Sequence, residues 1–151
     1  HCEQIGGTSV GLAARDTLRL EAAMPLYGHE LSEEISPLQA GLEFAVHLKD
    51  HQFVGRDALV RLAGEGNFPR RVGLITQGRR VPREGYPIRV AGRVVGNVSS
   101  GTHSPTLGQP IAMGFVAQEL ASVGTEVLID MRGREEAAQV VELPFYKRPV
   151  L

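Results

Sequence analysis

The sequence predicts an α+β protein, mainly β, in which a helical or mixed N-terminal segment is followed by a six-stranded antiparallel β-barrel. Three observations carry this expectation. An amphipathic stretch over residues 11–28 opens the chain and closes in the turn Pro25-Leu-Tyr-Gly28. A run with the composition of a boundary, Gly64-Glu-Gly-Asn-Phe-Pro69, lies near the middle. Beyond it, short β-favouring runs recur, parted by glycine and proline.

Residues 1–8 hold a Gly6-Gly7 pair and little periodicity, so they read as a frayed lead-in. Thr8 or Ser9 is placed to cap the helix that follows, since a hydroxyl there can accept from a first-turn N–H. Ala14, Leu18 and Ala22 form an apolar stripe among Arg15, Asp16, Arg19 and Glu21. Leu18-Arg19-Leu20-Glu21 also alternates with period two, as a half-buried strand would, but alanine content and length favour a helix ended by Pro25. Residues 26–42 read as a connection whose Glu30, Glu33 and Glu34 form a solvated acidic face. The alternation of Leu42, Phe44, Val46 and Leu48 reads as a half-buried strand. Ala58, Leu59 and Leu62 stand at helical spacing, with Gly64 where a left-handed cap would fall.

The barrel strands are read at 71–76, 86–90, 93–98, 111–116, 126–131 and 137–143, with Ala91-Gly92 and Arg132-Gly133 as hairpin turns. Closing the sheet removes edges that would otherwise aggregate. The expected division is a first unit over 1–64 and the barrel over 65–151.

Composition sets limits on function. At 151 residues, with 42% hydrophobic and 22% charged, the chain can build one modest core or a small domain plus part of another. Lys+Arg 16 against Asp+Glu 17 leaves no basic excess for nucleic acid or an anionic membrane, so an anionic ligand must be met by locally placed arginines. No apolar run approaches the roughly 20 residues of a membrane span, and no cleavable leader opens the chain, so the expectation is a soluble protein. A single cysteine, Cys2, excludes an intramolecular disulfide and fits a reducing, cytoplasmic setting. A start at His1, not methionine, suggests a piece of a longer protein.

Several blocks occur in one order: Ala14-Arg-Asp-Thr-Leu-Arg-Leu-Glu-Ala22, Pro25-Leu-Tyr-Gly-His-Glu-Leu31 and Ile35-Ser-Pro-Leu-Gln-Ala-Gly-Leu42. Phe53-Val-Gly-Arg-Asp-Ala-Leu59, Arg71-Val-Gly-Leu74, Ser99-Ser-Gly-Thr-His-Ser-Pro-Thr-Leu107, Ile111-Ala-Met-Gly-Phe-Val116 and Leu143-Pro-Phe-Tyr146 continue the series. Together they resemble the T-protein family of the glycine cleavage system, the tetrahydrofolate-dependent aminomethyltransferases, over nearly the whole chain and thinning only before Val10. The resemblance implies that the first unit comes from the folate-binding region. It further implies tetrahydrofolate as co-substrate and the lipoylated carrier, the H-protein, as partner. The full enzyme would move an aminomethyl group from the lipoyl arm to tetrahydrofolate with release of ammonia, a task of orientation and of proton control at folate N5. In the family the key aspartate and a pterin-contacting glutamate lie upstream of the residues present here, so the chain alone is expected to be inactive.

Arg15 is the leading site candidate. An arginine on a mostly apolar helix is costly to bury unless its planar fork meets an acceptor, and a carboxylate or a pterin carbonyl would supply one. The resemblance assigns this arginine to the folate site; an ion pair with Asp16, Glu21 or a nearby loop is the plainer reading. Tyr27, in the turn after the helix, could offer a ring face and a hydroxyl to a flat ligand, or simply pack. Tyr146 matches a C-terminal tyrosine that reaches the folate pocket in related proteins. Arg70 and Arg71 read mainly as solubilising residues at a strand entrance, with a ligand role as the lesser alternative. Lys147 and Arg148 could attract an acidic carrier or a polyglutamate tail, or be a solvated terminus.

Other constellations carry less. His47 and His51 are four apart but have no evident third ligand. Ser99, Ser100, Thr102 and Ser104 read as a loop, without a nucleophile elbow. The alternatives to a T-protein are the folate-binding half of a flavin-linked dehydrogenase, a non-catalytic folate protein of iron–sulfur assembly, and a plain interaction barrel. The iron–sulfur type carries a Lys-Gly-Cys-Tyr-x-Gly-Gln-Glu block, and the best-aligned region here reads Phe53-Val-Gly-Arg-Asp57.

Overall fold

The computed structural model describes residues 3–148, so Cys2 lies outside the described residues. Strands β1 (Arg70–Thr76), β2 (Pro87–Val90), β3 (Arg93–Ser104), β4 (Gln109–Val116), β5 (Glu126–Asp130) and β6 (Glu135–Val141) close into a barrel in the order β1-β4-β3-β2-β5-β6. Every neighbouring pair is antiparallel, so the expected six-stranded barrel is present. The hairpins at Ala91-Gly92 and Arg132-Gly133 carry two consecutive positive φ angles each, 49° and 77°, then 60° and 82°, the twist that joins adjacent antiparallel strands without splaying them.

Val72, Leu74, Ile88, Val98, Ala112, Val116, Val127, Ile129 and Val140 fill the interior. On β4 the residues between these, Ile111 and Met113, point outward instead and are equally buried. They are covered by Leu20 of helix α1 (Leu12–Glu21), by Ala23 just beyond it, and by Leu143 and Phe145 of the tail. Alternate residues of one strand thus serve two cores, and α1 is fixed against the outer wall made by β3 and β4.

The N-terminal region departs from the sequence reading in several places. Residues Glu3–Ile5 form a 3-10 turn, and Gly11, with no side-chain hydrogen bond, occupies the cap position expected for Thr8 or Ser9. The helix ends at Glu21, before Pro25, because Ala23 turns left-handed at φ 54°. Residues 42–48 form a 3-10 turn at Glu43–Ala45 where a strand was expected, and Phe44 is 81% exposed, so alternation without a partner strand builds no sheet. Helix α2 (Arg56–Glu65) runs past Gly64 and is capped by the left-handed Gly66. The expected Ser99–Ser104 loop is the second half of β3, paired to β4.

Candidate functional site

The stripe Ala14, Leu18, Ala22 faces away from the barrel and is exposed. The packed face of α1 carries Thr17, Leu20 and Glu21, and polar bonds hold much of it in place. Thr17 Oγ1 lies 3.2 Å from Thr102 Oγ1 on β3. The buried Glu21 carboxylate accepts from Ser104 Oγ at 2.5 Å, Thr106 Oγ1 at 2.9 Å and Thr106 N at 3.2 Å. Burial pushes its pKa up, but the Ser104 and Thr106 hydrogen bonds outweigh that and hold it below the ordinary 4.5.

Two residues earlier, Arg19 makes a largely buried fork. Its Nε donates to Asp16 Oδ1 at 2.7 Å, Nη1 to Glu30 Oε2 at 2.9 Å and Nη2 to Ser100 Oγ at 3.0 Å. Glu30 is 0% exposed, so the acidic face expected at Glu30, Glu33 and Glu34 is solvated only at the latter two. Its other partners are Leu26 N at 3.0 Å and Ser99 Oγ at 2.5 Å. Ser99 and Ser100 are consecutive, and in a regular strand they would point to opposite faces. A register shift between Val98 and Ser100 lets both hydroxyls meet the Arg19–Glu30 pair, the re-aiming that a β-bulge provides.

The open face of α1 and the turn after it enclose a groove of about 610 Å³. Val10, Leu18, Ala22, Met24, Pro25 and Leu26 supply apolar walls, and Arg15 and Arg19 supply the charge. Arg15 is exposed, contrary to the expectation of a guanidinium withdrawn from water, because the helix turns this side outward and gives the buried acceptors to Arg19. Among the described residues Arg15 makes no hydrogen bond or ion pair, so the plainer reading of an internal pair applies to Arg19 instead. Tyr27 is 70% exposed, adjacent to Leu26 but outside the groove lining. Tyr146 is exposed at the end of α1, where its N–H donates to the Glu21 carbonyl at 3.0 Å. The three sequence candidates are therefore not joined by any hydrogen bond among the described residues.

Arg71 is no solubilising residue. Its Nη1 donates to the Ala23 carbonyl at 2.8 Å, stapling the left-handed end of α1 to the barrel. Burial lowers its pKa, while the charges of Glu30 and Glu43 act in the opposite sense. Arg70 pairs with Glu43 at 2.7 Å and lies 4.2 Å over the Phe68 ring. His47 and His51 meet edge to face at 5.2 Å. Arg19 and Glu30 do not stand out as site residues in the sequence; the i, i+3 spacing of Asp16 and Arg19 is the one signal for the former.

The family description "Glycine cleavage T-protein C-terminal barrel domain" matches residues 70–147, and "GCVT N-terminal domain" matches residues 1–50. The chain belongs to the glycine cleavage T-protein family. Its similar relatives include an aminomethyltransferase of Symbiobacterium thermophilum, 53% identical over 92% of this chain and 37% of the relative. Another, from Streptomyces avermitilis, is 57% identical over 91% of this chain and 38% of the relative. The crystal structure of glycine cleavage system aminomethyltransferase T from Bartonella henselae superposes with a TM-score of 0.90 at 36% identity, covering 96% of this chain and 41% of that one. The chain thus spans about two fifths of the length of the T-proteins it matches. No helix among the described residues is long and apolar enough to cross a membrane.

Proposed function

We propose that this chain is the C-terminal portion of a T-protein aminomethyltransferase, and that the full-length protein transfers the aminomethyl carbon of a lipoylated H-protein to tetrahydrofolate with release of ammonia. The groove along α1 is one wall of the folate site. The observation that carries this reading is Arg15: an uncompensated guanidinium set beside an apolar groove. That combination suits a flat heterocycle bearing carbonyl and carboxylate groups, since the ring can lie on Leu18, Ala22 and Leu26 while the planar fork binds the anionic or carbonyl end. Tyr27 and Tyr146 are assigned to the rim of the same site, where their exposed rings are available to a bound ligand. The names of the relatives favour this reading over the dehydrogenase alternative.

The chemistry itself needs an acid–base group at folate N5, and that group, an aspartate, is assigned to the part of the protein upstream of His1. The first 64 residues complete the folate-binding unit, residues 65–151 form the barrel that buttresses it, and the setting is the cytoplasm. The test compares the full-length protein with the 151-residue chain, given aminomethyl-loaded carrier and tetrahydrofolate. The full-length protein is expected to form methylenetetrahydrofolate and ammonia, and the chain alone to form neither. Turnover by the short chain would refute the division of labour; none by the full-length protein would refute the activity.

A further inference from the structure

The groove has two walls. Arg15, Leu18, Arg19 and Ala22 stand on α1, and Met24, Pro25 and Leu26 stand on the turn that follows. Between them the backbone reverses at Ala23. Glu30 touches both sides: Oε2 accepts from Arg19 Nη1 on the helix wall at 2.9 Å and from Leu26 N on the turn wall at 3.0 Å. Its other oxygen, Oε1, accepts from Ser99 Oγ on the barrel. A fully buried carboxylate is costly to keep unless its lone pairs are satisfied, and here one group satisfies them by joining three elements.

Charge distinguishes the two arginines of the groove. Asp16 and Glu30 both contact Arg19, so this guanidinium is compensated even though it lines the groove. Arg15 is left as the groove's uncompensated cation among the described residues. Withdrawing the Glu30 charge would weaken the link between the walls and leave Arg19 paired to Asp16 alone. A ligand would then face walls whose spacing is no longer set by a shared carboxylate.

We propose that Glu30 is a positioning residue for the tetrahydrofolate site: it never meets the ligand, but sets the spacing of the groove walls by binding Arg19 on one and the Leu26 amide on the other. This rests on the folate reading given above. It predicts that the full-length enzyme carrying Glu30→Gln has a KM for tetrahydrofolate raised roughly tenfold, the scale of one lost charged hydrogen bond, with kcat changed much less.

Arg19→Lys is the companion variant should Glu30→Gln fail to fold. It keeps the charge, but a single ammonium cannot span Asp16, Glu30 and Ser100, so KM should rise in the same direction. Ser104→Ala removes a buried bond to Glu21, on the barrel-facing side of α1 away from the groove, and separates positioning from general weakening, since it should lower Tm and leave KM unaltered. Arg15→Ala tests the underlying reading. If Arg15→Ala raises KM while Glu30→Gln and Arg19→Lys do not, the positioning role is wrong and the folate site stands. If all three leave KM unchanged, the folate site falls and the inference with it. An equal rise in Ser104→Ala would mean mere destabilisation and would also overturn the proposal.

Discussion

Replacing Glu21 by glutamine tests how α1 is held to the barrel. The carboxylate receives bonds from two hydroxyls and one backbone N–H, all on or just after β3. Glutamine keeps the shape and one acceptor, while its NH₂ must donate to a hydroxyl that formerly donated to the carboxylate. Charged hydrogen bonds contribute about 1.5–3 kcal/mol each but do not add, so a loss of about 2 kcal/mol is the working magnitude. For a chain of this size that corresponds to a Tm lower by roughly 4–8 °C at neutral pH. The pH dependence gives the sharper signature. Because the folded-state pKa of Glu21 lies below the ordinary 4.5, its contribution is present above that value and disappears as pH falls through the folded-state pKa. Thermal unfolding followed by circular dichroism from pH 7 to pH 3 should therefore show the gap between the parent chain and Glu21→Gln closing below pH 4.5. A gap that stays constant across that range, or no gap at pH 7, would refute the assignment of stability to this carboxylate.

Gly96→Ala should destabilise the barrel by about 3 kcal/mol or more in urea unfolding, because its Cβ would lie 1.8 Å from the Phe115 carbonyl oxygen, a backbone atom that cannot swing aside. Near-normal stability would mean that β3 and β4 are not so closely apposed at this point. Leu20→Ala should cost about 2–5 kcal/mol, since Leu20 is fully buried against Ile111 and Met113; a loss below about 0.5 kcal/mol would show that α1 does not pack there. Val54→Ser should change the unfolding midpoint by no more than about 0.5 kcal/mol equivalent, because the side chain is fully exposed.

The barrel was legible because its signals are local. Glycine follows a residue that can turn left-handed at Ala91-Gly92 and Arg132-Gly133, and β-favouring runs flank both turns. The N-terminal unit was legible in outline only, since tertiary partners decide its details. Glu21 and Glu30 look like ordinary surface acids in sequence, and their burial depends in large part on the hydroxyls of Ser99, Ser104 and Thr106, 69 or more positions away. The same hydroxyls made residues 99–104 resemble a loop, whereas β4 takes up their backbone bonds. The apolar stripe of α1 was recognised, but it lies on the open face, because periodicity identifies a face without saying what covers it. Arg15 lines the groove but is exposed, and Arg19, four residues on, took the buried role expected of it.

The groove itself is the point at which the account is most exposed to test. Tetrahydrofolate titrated calorimetrically into the full-length protein should bind saturably, and Arg15→Ala should weaken that binding by roughly tenfold or more, as expected for loss of a charge-assisted contact. Equal affinity of the two proteins would contradict the assignment of this guanidinium to the folate site.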